Sequence, residues 1–214
     1  MTVDKSIIKY TDMFAYYVYQ PIAFFILKRI VKSKITPNQV TVASLIFGIF
    51  SAYMIFNQMY ILGIVFLNIS FVLDCLDGQL ARAKNMQSIF GLWLDNVFDR
   101  IVENVVIIAI IFVNIENMSV VMVGIFLMFF NLLYSYMSDI VIYREMHSKH
   151  NYRRLTIIEK ALFSPIYFLN RSFMIGFLSL AIFFPFKVFV LLNGFYFFGI
   201  VFHFYREYKN IREV

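Results

Sequence analysis

The chain alternates between long apolar runs and short polar breaks, and this pattern predicts an all-α membrane protein with six spanning helices. Each run approaches the roughly 20 residues that an α-helix needs to cross a bilayer. The longest break is the hydrophilic segment 143–160. The predicted spans cover about 38–57, 60–83, 88–112, 118–142, 161–183 and 188–205.

An earlier apolar run, residues 13–27, is too short to span a bilayer. Gln20 and Pro21 interrupt it, and Lys28 and Arg29 follow it. It lacks the small-residue cleavage pattern that is typical of a signal peptide. We therefore predict an N-terminal amphipathic helix that lies on the membrane surface.

Two regions follow from this pattern. Residues 1–35 are predicted to form a cytoplasmic, interfacial segment, and residues 36–214 a six-helix membrane domain that contains a cluster of aspartates at 74–99. At the boundary, Thr36 is predicted to cap the first spanning helix, with Pro37 at the first helical position.

The distribution of basic residues predicts the orientation. Sixteen Lys and Arg residues lie in the N-terminal segment, the tail and the two breaks on the same side, whereas only Lys187 lies in the three opposite breaks. The positive-inside rule then places both termini and the aspartate cluster on the cytoplasmic side of the cell membrane. The single cysteine, Cys75, cannot form an intramolecular disulfide.

The composition agrees with a membrane protein. Residues are 61% hydrophobic and 15% charged, against roughly 25% charged in soluble domains, and the mean hydropathy is +0.76. The net charge of +6 could indicate nucleic acid binding. The basic residues cluster between apolar runs, however, which favours a lipid bilayer surface and anionic ligands, and no nucleic acid partner is expected.

Four aspartates stand inside or beside apolar runs. Asp74 and Asp77 are three residues apart on the second predicted span, and Asp95 and Asp99 are four apart on the third, so each pair shares one helix face. A charge at the centre of a membrane helix costs roughly 2.5–3.5 kcal/mol, so such carboxylates suggest a functional site. A short link joins the two spans, which are therefore expected to be antiparallel neighbours with converging carboxylates.

Carboxylate oxygens favour Mg²⁺, Mn²⁺ or Ca²⁺ over zinc. Two such ions about 3.5–4 Å apart can clamp the phosphate oxygens of an in-line displacement. Arg82 adds positive charge for a phosphate, and Gly78, Ala81 and Gly91 leave room for a ligand or a neighbouring helix. Capping or interhelical hydrogen bonding is the structural alternative, and four aspartates at these spacings disfavour it.

The spacing D-x2-D-G-x2-A-R-x8-G-x3-D-x3-D resembles the signature of the CDP-alcohol phosphotransferase family. Family members are integral membrane enzymes, commonly homodimers, that transfer a substituted phosphate from a CDP-linked donor to an alcohol acceptor and release CMP. The six-span layout and the Pro37-Asn38-x-x-Thr41 lead-in also resemble the family. All eight signature positions match: Asp74, Asp77, Gly78, Ala81, Arg82, Gly91, Asp95 and Asp99.

The resemblance implies roles for these residues. Asp74, Asp77 and Asp95 would bind two Mg²⁺ or Mn²⁺ ions, and Asp99 would be both a ligand and the general base. The residues implied to line the CDP pocket are Asp77, Gly78, Ala81, Arg82, Gly91, Asn38 and Thr41.

The acceptor is suggested by a finer resemblance. The Asp99-Arg100 pair and the lead-in look closest to family members that accept inositol phosphate, with CDP-diacylglycerol or a similar lipid as the donor. A phosphorylated acceptor needs cations. Glu103 could be the carboxylate partner of Arg171, or it could pair with Arg100. The candidate acceptor-binding residues are Arg153, Arg154, Lys160 and Arg171.

Other functions stay open at this point. The same chemistry could make a non-lipid product or a cell-surface glycopolymer. A divalent-cation transporter could use the aspartates as an ion site, and an inactive scaffold could retain the fold. Arg82 with Gly78 and Ala81 favours a phosphate pocket over a cation path, and the intact signature disfavours the scaffold.

Overall fold

The computed structural model describes residues 14–147 and 171–212. Within these ranges the chain forms α-helices and no β-strand, so the predicted all-α class is confirmed. A π-helical turn, Ala15–Tyr19, precedes the first helix. The helices are α1 (Gln20–Ile30), α2 (Pro37–Phe56), α3 (Tyr60–Lys84), α4 (Ile89–Val113), α5 (Met118–His147), α6 (Arg171–Ala181) and α7 (Pro185–Arg212).

The helix boundaries follow the hydropathy pattern closely in the first half of the chain. Helices α2, α3 and α4 begin and end within one residue of the predicted spans, and α5 continues beyond its predicted end to His147. Helix α7 begins at Pro185, three residues before the predicted start of the sixth span. A proline is tolerated in the first turn of a helix, where its missing N–H has no partner to lose. Of the predicted fifth span, residues 161–170 lie outside the described residues.

Within residues 14–147 and 171–212, four helical segments are long and apolar enough to cross a membrane, which fits a polytopic membrane protein. Helix α4 is as long as α3, at 25 residues. It carries four charged residues within nine positions, which lowers its hydropathy, and the count of six spans stays a prediction. The four segments are Pro37–Phe56, Tyr60–Lys84, Met118–Met137 and Pro185–Tyr205.

The N-terminal apolar run is helical within the described residues. Helix α1 begins at Gln20, directly after the π-helical turn, and Pro21 lies in its first turn. One face of α1 packs against α3, and on the helix itself Lys28 lies over the ring of Phe24 and Arg29 over that of Phe25. The position of α1 on a membrane surface and the domain boundary at residue 35 stay predictions.

The predicted cap of α2 is confirmed. The Thr36 hydroxyl accepts a hydrogen bond from the Gln39 N–H at 3.4 Å. The Gln39 side chain accepts in turn from the Thr36 N–H at 2.9 Å, which completes a capping box. This cap fixes the start of α2, where Asn38 and Thr41 lie.

Helix α2 lies between α3 and α4 and packs against both. The expected direct packing of α3 against α4 is limited, because α2 separates them along most of their length. Small residues allow α2 to approach α3 and α4 closely. Ser44 and Ser70 each donate a hydrogen bond to the backbone carbonyl of the other, at 2.9 and 2.8 Å, which joins α2 to α3. Gly48 lies directly against Val102 of α4.

We predict that Gly48→Ala separates α2 from α4. A Cβ at position 48 would lie 2.4 Å from one methyl carbon of Val102 and 2.6 Å from the other. Valine is branched at Cβ and has little rotamer freedom in a helix, so the backbones must shift. Overpacking of this kind costs about 1–3 kcal/mol, and the melting temperature of the purified protein in detergent should fall.

Gly194→Ala in α7 is the matched control, because a Cβ at position 194 meets no atom within 4 Å. Its melting temperature should be unchanged or slightly raised. The double variant Gly48→Ala with Val102→Ala should regain part of the loss. Equal melting temperatures for Gly48→Ala and the wild type would contradict the packing argument.

Candidate active site

Three of the four aspartates meet where α3 faces α4. One carboxylate oxygen from each of Asp74, Asp95 and Asp99 lies within 4.8 Å of the others, and all three residues are half-buried. The i,i+4 spacing places Asp95 and Asp99 on one face of α4. The predicted convergence of the two helices is therefore confirmed for three of the four carboxylates.

Asp77 is buried on α3, one turn after Asp74, and lies near Asp95. Its carboxylate lies beside Thr41 of α2. One oxygen each of Asp77 and Asp95 is buried without a hydrogen-bond partner among the described residues. Buried carboxylate oxygens need a donor or a cation, so this acidic set fits a hard divalent ion that prefers oxygen ligands.

A cavity of about 550 Å³ opens next to Asp77 and Asp95. It lies between the start of α2, the last turns of α3 and the start of α4. All seven residues predicted to bind CDP line it, so the structure brings this set together. The lining residues that the sequence analysis did not assign to the CDP pocket are Asp95, predicted as a metal ligand, and Pro37, Met86, Gln87, Ser88, Ile89 and Leu92.

The link from α3 to α4 shapes one wall of this cavity. Helix α3 ends at Asn85, whose left-handed backbone (φ 54°) closes the helix. Helix α4 begins after Ser88, whose hydroxyl accepts a hydrogen bond from the Gly91 N–H at 2.9 Å. Only Met86 and Gln87 lie between these two caps. The Ser-x-x-Gly cap is a local signal from which the lining role of this link could have been predicted.

Two glycines let polar side chains approach the cavity. A Cβ at Gly91 would lie 3.0 Å from the Ser88 hydroxyl and 3.4 Å from the Asn38 side-chain oxygen. A Cβ at Gly78 would lie 3.3 Å from the guanidinium of Arg82. These glycines were predicted to leave room for a ligand or a neighbouring helix, and in the structure they also make room for polar side chains of the cavity wall.

Hydrogen bonds from Lys84 hold the end of α3 to the residues that precede α2. The Lys84 ammonium donates hydrogen bonds to the backbone carbonyls of Ser33 and Ile35, each at 2.7 Å. These carbonyls directly precede the Thr36 cap. The end of α3 and the start of α2 are therefore held together at the edge of the cavity.

Arg171, the first residue of α6, reaches the acidic set. Its guanidinium forms ion pairs with both Asp74 and Asp99, and it lies over the ring of Phe71 at 5.4 Å. The suggestion that Glu103 pairs with Arg171 is wrong, and the alternative is confirmed, since Glu103 pairs with Arg100 at 2.8 Å. Role assignments for Arg171 and the aspartates stay predictions.

The other proposed acceptor-binding residues cannot be placed. Arg153, Arg154 and Lys160 lie outside the described residues. The described part of the chain instead contains a buried polar cluster that the sequence analysis missed. Glu103 and Asn131 are buried in it, and the signal for it was an asparagine in the middle of an apolar run.

The fold and the site define a helical membrane protein with a carboxylate cluster beside a polar cavity. The family model for CDP-alcohol phosphatidyltransferases matches residues 34–202. The chain belongs to this family, which confirms the predicted resemblance.

Curated relatives match over shorter segments. The chain is 46% identical over 70 residues to the "Bifunctional IPC transferase and DIPP synthase" of Aquifex aeolicus, which covers 33% of this chain and 16% of that protein. It is 40% identical over 67 residues to the archaetidylinositol phosphate synthase of Pyrococcus horikoshii, over 31% of this chain and 36% of that protein. The matches thus span well under half of either relative.

A solved structure shares the fold. A Mycobacterium tuberculosis phosphatidylinositol phosphate synthase with CDP-DAG bound aligns with a TM-score of 0.59 and 16% sequence identity. The alignment covers 89% of this chain and 92% of the other. At this identity the likeness concerns the fold.

We predict that Arg171→Gln destabilises the protein. Removing the guanidinium leaves Asp74 and Asp99 as mostly buried carboxylates without their ion-pair partner, and breaking a buried ion pair typically costs about 3–5 kcal/mol. The melting temperature in detergent with EDTA should fall clearly. Lys187→Gln, which removes an exposed cation from α7, is the matched control and should change it little.

Adding Asp74→Asn to Arg171→Gln should recover part of the lost stability, because one of the two uncompensated charges is removed. A melting temperature for Arg171→Gln equal to that of the control would show that the ion pairs do not stabilise the fold.

Proposed function

We propose that this protein is a divalent-metal-dependent transferase of the membrane. It moves a substituted phosphate from a CDP-linked alcohol, CDP-diacylglycerol or a similar lipid, to an alcohol acceptor and releases CMP. The observation that carries the proposal is the acidic set placed directly beside the cavity, with Asp77 and Asp95 belonging to the wall of that cavity. Membership of the family supports the reaction class.

The donor is proposed to bind with its nucleotide in the cavity. Arg82 would bind the phosphates, Gly78 and Gly91 would leave room for them, and Asn38 and Thr41 would complete the wall. A cavity of about 550 Å³ is within the usual range for small-molecule sites. The CDP-DAG bound in the Mycobacterium tuberculosis neighbour supports a CDP-linked lipid donor.

Asp74, Asp77, Asp95 and Asp99 are proposed to hold two Mg²⁺ or Mn²⁺ ions. When bound, such ions neutralise the charge of the diphosphate. The acceptor oxygen attacks the β-phosphorus of the donor, and the bond from that phosphorus to the bridging oxygen breaks, so that CMP leaves with the electron pair. Asp99 takes the proton of the acceptor hydroxyl as general base.

The acceptor is proposed to be inositol phosphate or another polyol phosphate. The synthase of Pyrococcus horikoshii carries inositol phosphate in the name of its product, which supports this class. Arg171 stands beside Asp99, where a cation could also bind the acceptor. Residues Arg153, Arg154 and Lys160 are proposed to contribute from the polar segment before α6.

The proposed location is the cell membrane, with both termini and the site facing the cytoplasm. The basic residues of the N-terminal segment and the tail support this orientation. A homodimer, with the bilayer as its environment, is proposed from the family resemblance.

The purified protein should release CMP from a CDP-linked lipid only when a divalent ion and an acceptor are both present. CMP release should be measured with CDP-diacylglycerol and a panel of alcohols and their phosphates, and EDTA should abolish it. Folded protein that is inactive across several CDP-linked donors would contradict the proposal. Mn²⁺ uptake into proteoliposomes without any CDP compound would instead support a transporter.

Asp99→Asn should lower turnover by about 10²–10⁴-fold, because the amide cannot accept the proton of the acceptor. Donor binding, measured directly with CDP-diacylglycerol and Mn²⁺, should largely survive. Glu116→Gln, which replaces an exposed acid outside the cluster, is the matched control. Near-normal turnover in Asp99→Asn would show that another group is the base.

A further inference from the structure

A buried polar network starts at Arg100, the residue after Asp99, and links α4, α5 and α7; none of its residues lines the cavity. The Arg100 Nη1 group donates hydrogen bonds to Glu103 at 2.8 Å and to the Asn131 side-chain oxygen at 3.2 Å. The Asn131 amide nitrogen donates to Glu103 at 2.9 Å and to the Tyr196 hydroxyl at 3.1 Å. The Tyr196 hydroxyl donates to the sulfur of Met174, at 3.5 Å, on a fourth helix.

Stability alone is a weak explanation for this network. Glu103, Asn131 and Tyr196 are all at most 1% exposed. Replacing a buried ion pair with apolar residues of similar volume is often neutral or stabilising, and hydrogen bonds between membrane helices average only about 0.6 kcal/mol. An apolar bundle could therefore join α4, α5 and α7 without these groups.

The network leaves part of Arg100 available. The hydrogen bonds to Glu103 and Asn131 both leave from Nη1, and the buried Nε has no acceptor among the described residues. The side chain is 28% exposed, so the network does not enclose it fully. A guanidinium fixed at one nitrogen presents its remaining N–H groups in a defined direction.

Arg100 is also next to the reacting groups. It directly follows Asp99 in the chain and lies close enough to both Asp99 and Arg171 for electrostatic interaction. Arg171 is itself engaged by Asp74 and Asp99. A dianionic acceptor whose hydroxyl meets Asp99 therefore needs a further cation nearby, and Arg100 is the neighbouring one in the described part of the chain.

We propose that Arg100 binds the phosphate of the acceptor and so makes the enzyme specific for phosphorylated alcohols, with Glu103, Asn131 and Tyr196 as positioning residues that hold its guanidinium. This inference rests on the proposed transferase function. It adds a specificity-determining residue on α4 to the candidates of the polar segment before α6.

The test compares phosphorylated and neutral acceptors. CMP release is measured with CDP-diacylglycerol and Mn²⁺, using myo-inositol 1-phosphate with myo-inositol and glycerol 3-phosphate with glycerol as acceptor pairs. Arg100→Gln should raise the KM for the preferred phosphorylated acceptor about 10- to 100-fold, as expected for a lost charge-assisted hydrogen bond. The KM for the donor should stay within about twofold, because Arg100 does not line the donor cavity.

Substitutions of the positioning residues should raise the acceptor KM by smaller, graded amounts. Asn131→Leu, which removes the bonds to Arg100 and Glu103, should raise the acceptor KM about 5-fold, and Tyr196→Phe about 2-fold. Arg100→Lys keeps the positive charge but lacks the planar guanidinium. Its acceptor KM should lie between those of the wild type and Arg100→Gln. Lys187→Gln is the control for loss of a positive charge and should leave all constants unchanged.

Two outcomes would overturn the inference while the proposed function stands. One is a wild-type enzyme that prefers the neutral acceptors. The other is a set of variants that lose melting temperature and kcat together with unchanged acceptor KM, as a purely structural network would produce. If Arg100→Gln does not fold, Arg100→Lys and Tyr196→Phe supply the same comparison. Wild-type protein that releases no CMP with any acceptor would instead reject the proposed function, and the inference with it.

Discussion

The structure depends on how an apolar helical bundle accommodates buried carboxylates. A buried charge is tolerated only when it is paired or hydrogen-bonded. Arg171 supplies a cation to Asp74 and Asp99, and Arg100 supplies one to Glu103. Asp77 and Asp95 keep oxygens without such a partner among the described residues, and these two line the cavity. The acids with the least compensation are thus the ones that a ligand can reach.

The scaffold around these charges is built by close packing of small residues. Ser44 and Gly48 bring α2 against α3 on one side and α4 on the other. Because α2 separates α3 from α4, their carboxylates meet across a space instead of through a packed interface. The cavity opens where the three helices diverge, and the contacts of Lys84 with the residues before α2 hold its edge. The geometry of the site therefore follows from interhelical distance as much as from the polar residues.

Much of the site could be predicted from the sequence because helical periodicity decides which residues share a face. The spacing of the aspartates, glycines and Arg82 indicated a shared site. The family resemblance implied the CDP-pocket set, including Asn38 and Thr41 of α2, and the structure gathers all seven of these residues around the cavity. The Thr36 cap was predicted from a local pattern. The aspartate partners of Arg171 could not be predicted, because they depend on which helices pack together in space, whereas the Arg100–Glu103 pair lies within one helix and was one of the two predicted alternatives. Asn131 and Tyr196 join α4 from positions far along the chain, and periodicity carries no information about such pairs.

The link between α3 and α4 has one further consequence, which concerns chain length. Asn85 closes one helix and Ser88 caps the next, while Met86 and Gln87 between them line the cavity. An inserted residue inside either helix would turn the side chains beyond it by about 100° around the helix axis. An inserted residue in the link would displace a cap or the cavity wall. The number of residues between Asp77 and Asp95 is therefore fixed by the site. An insertion or deletion there is far more damaging than most substitutions, because the site depends on the spacing of its residues along the chain.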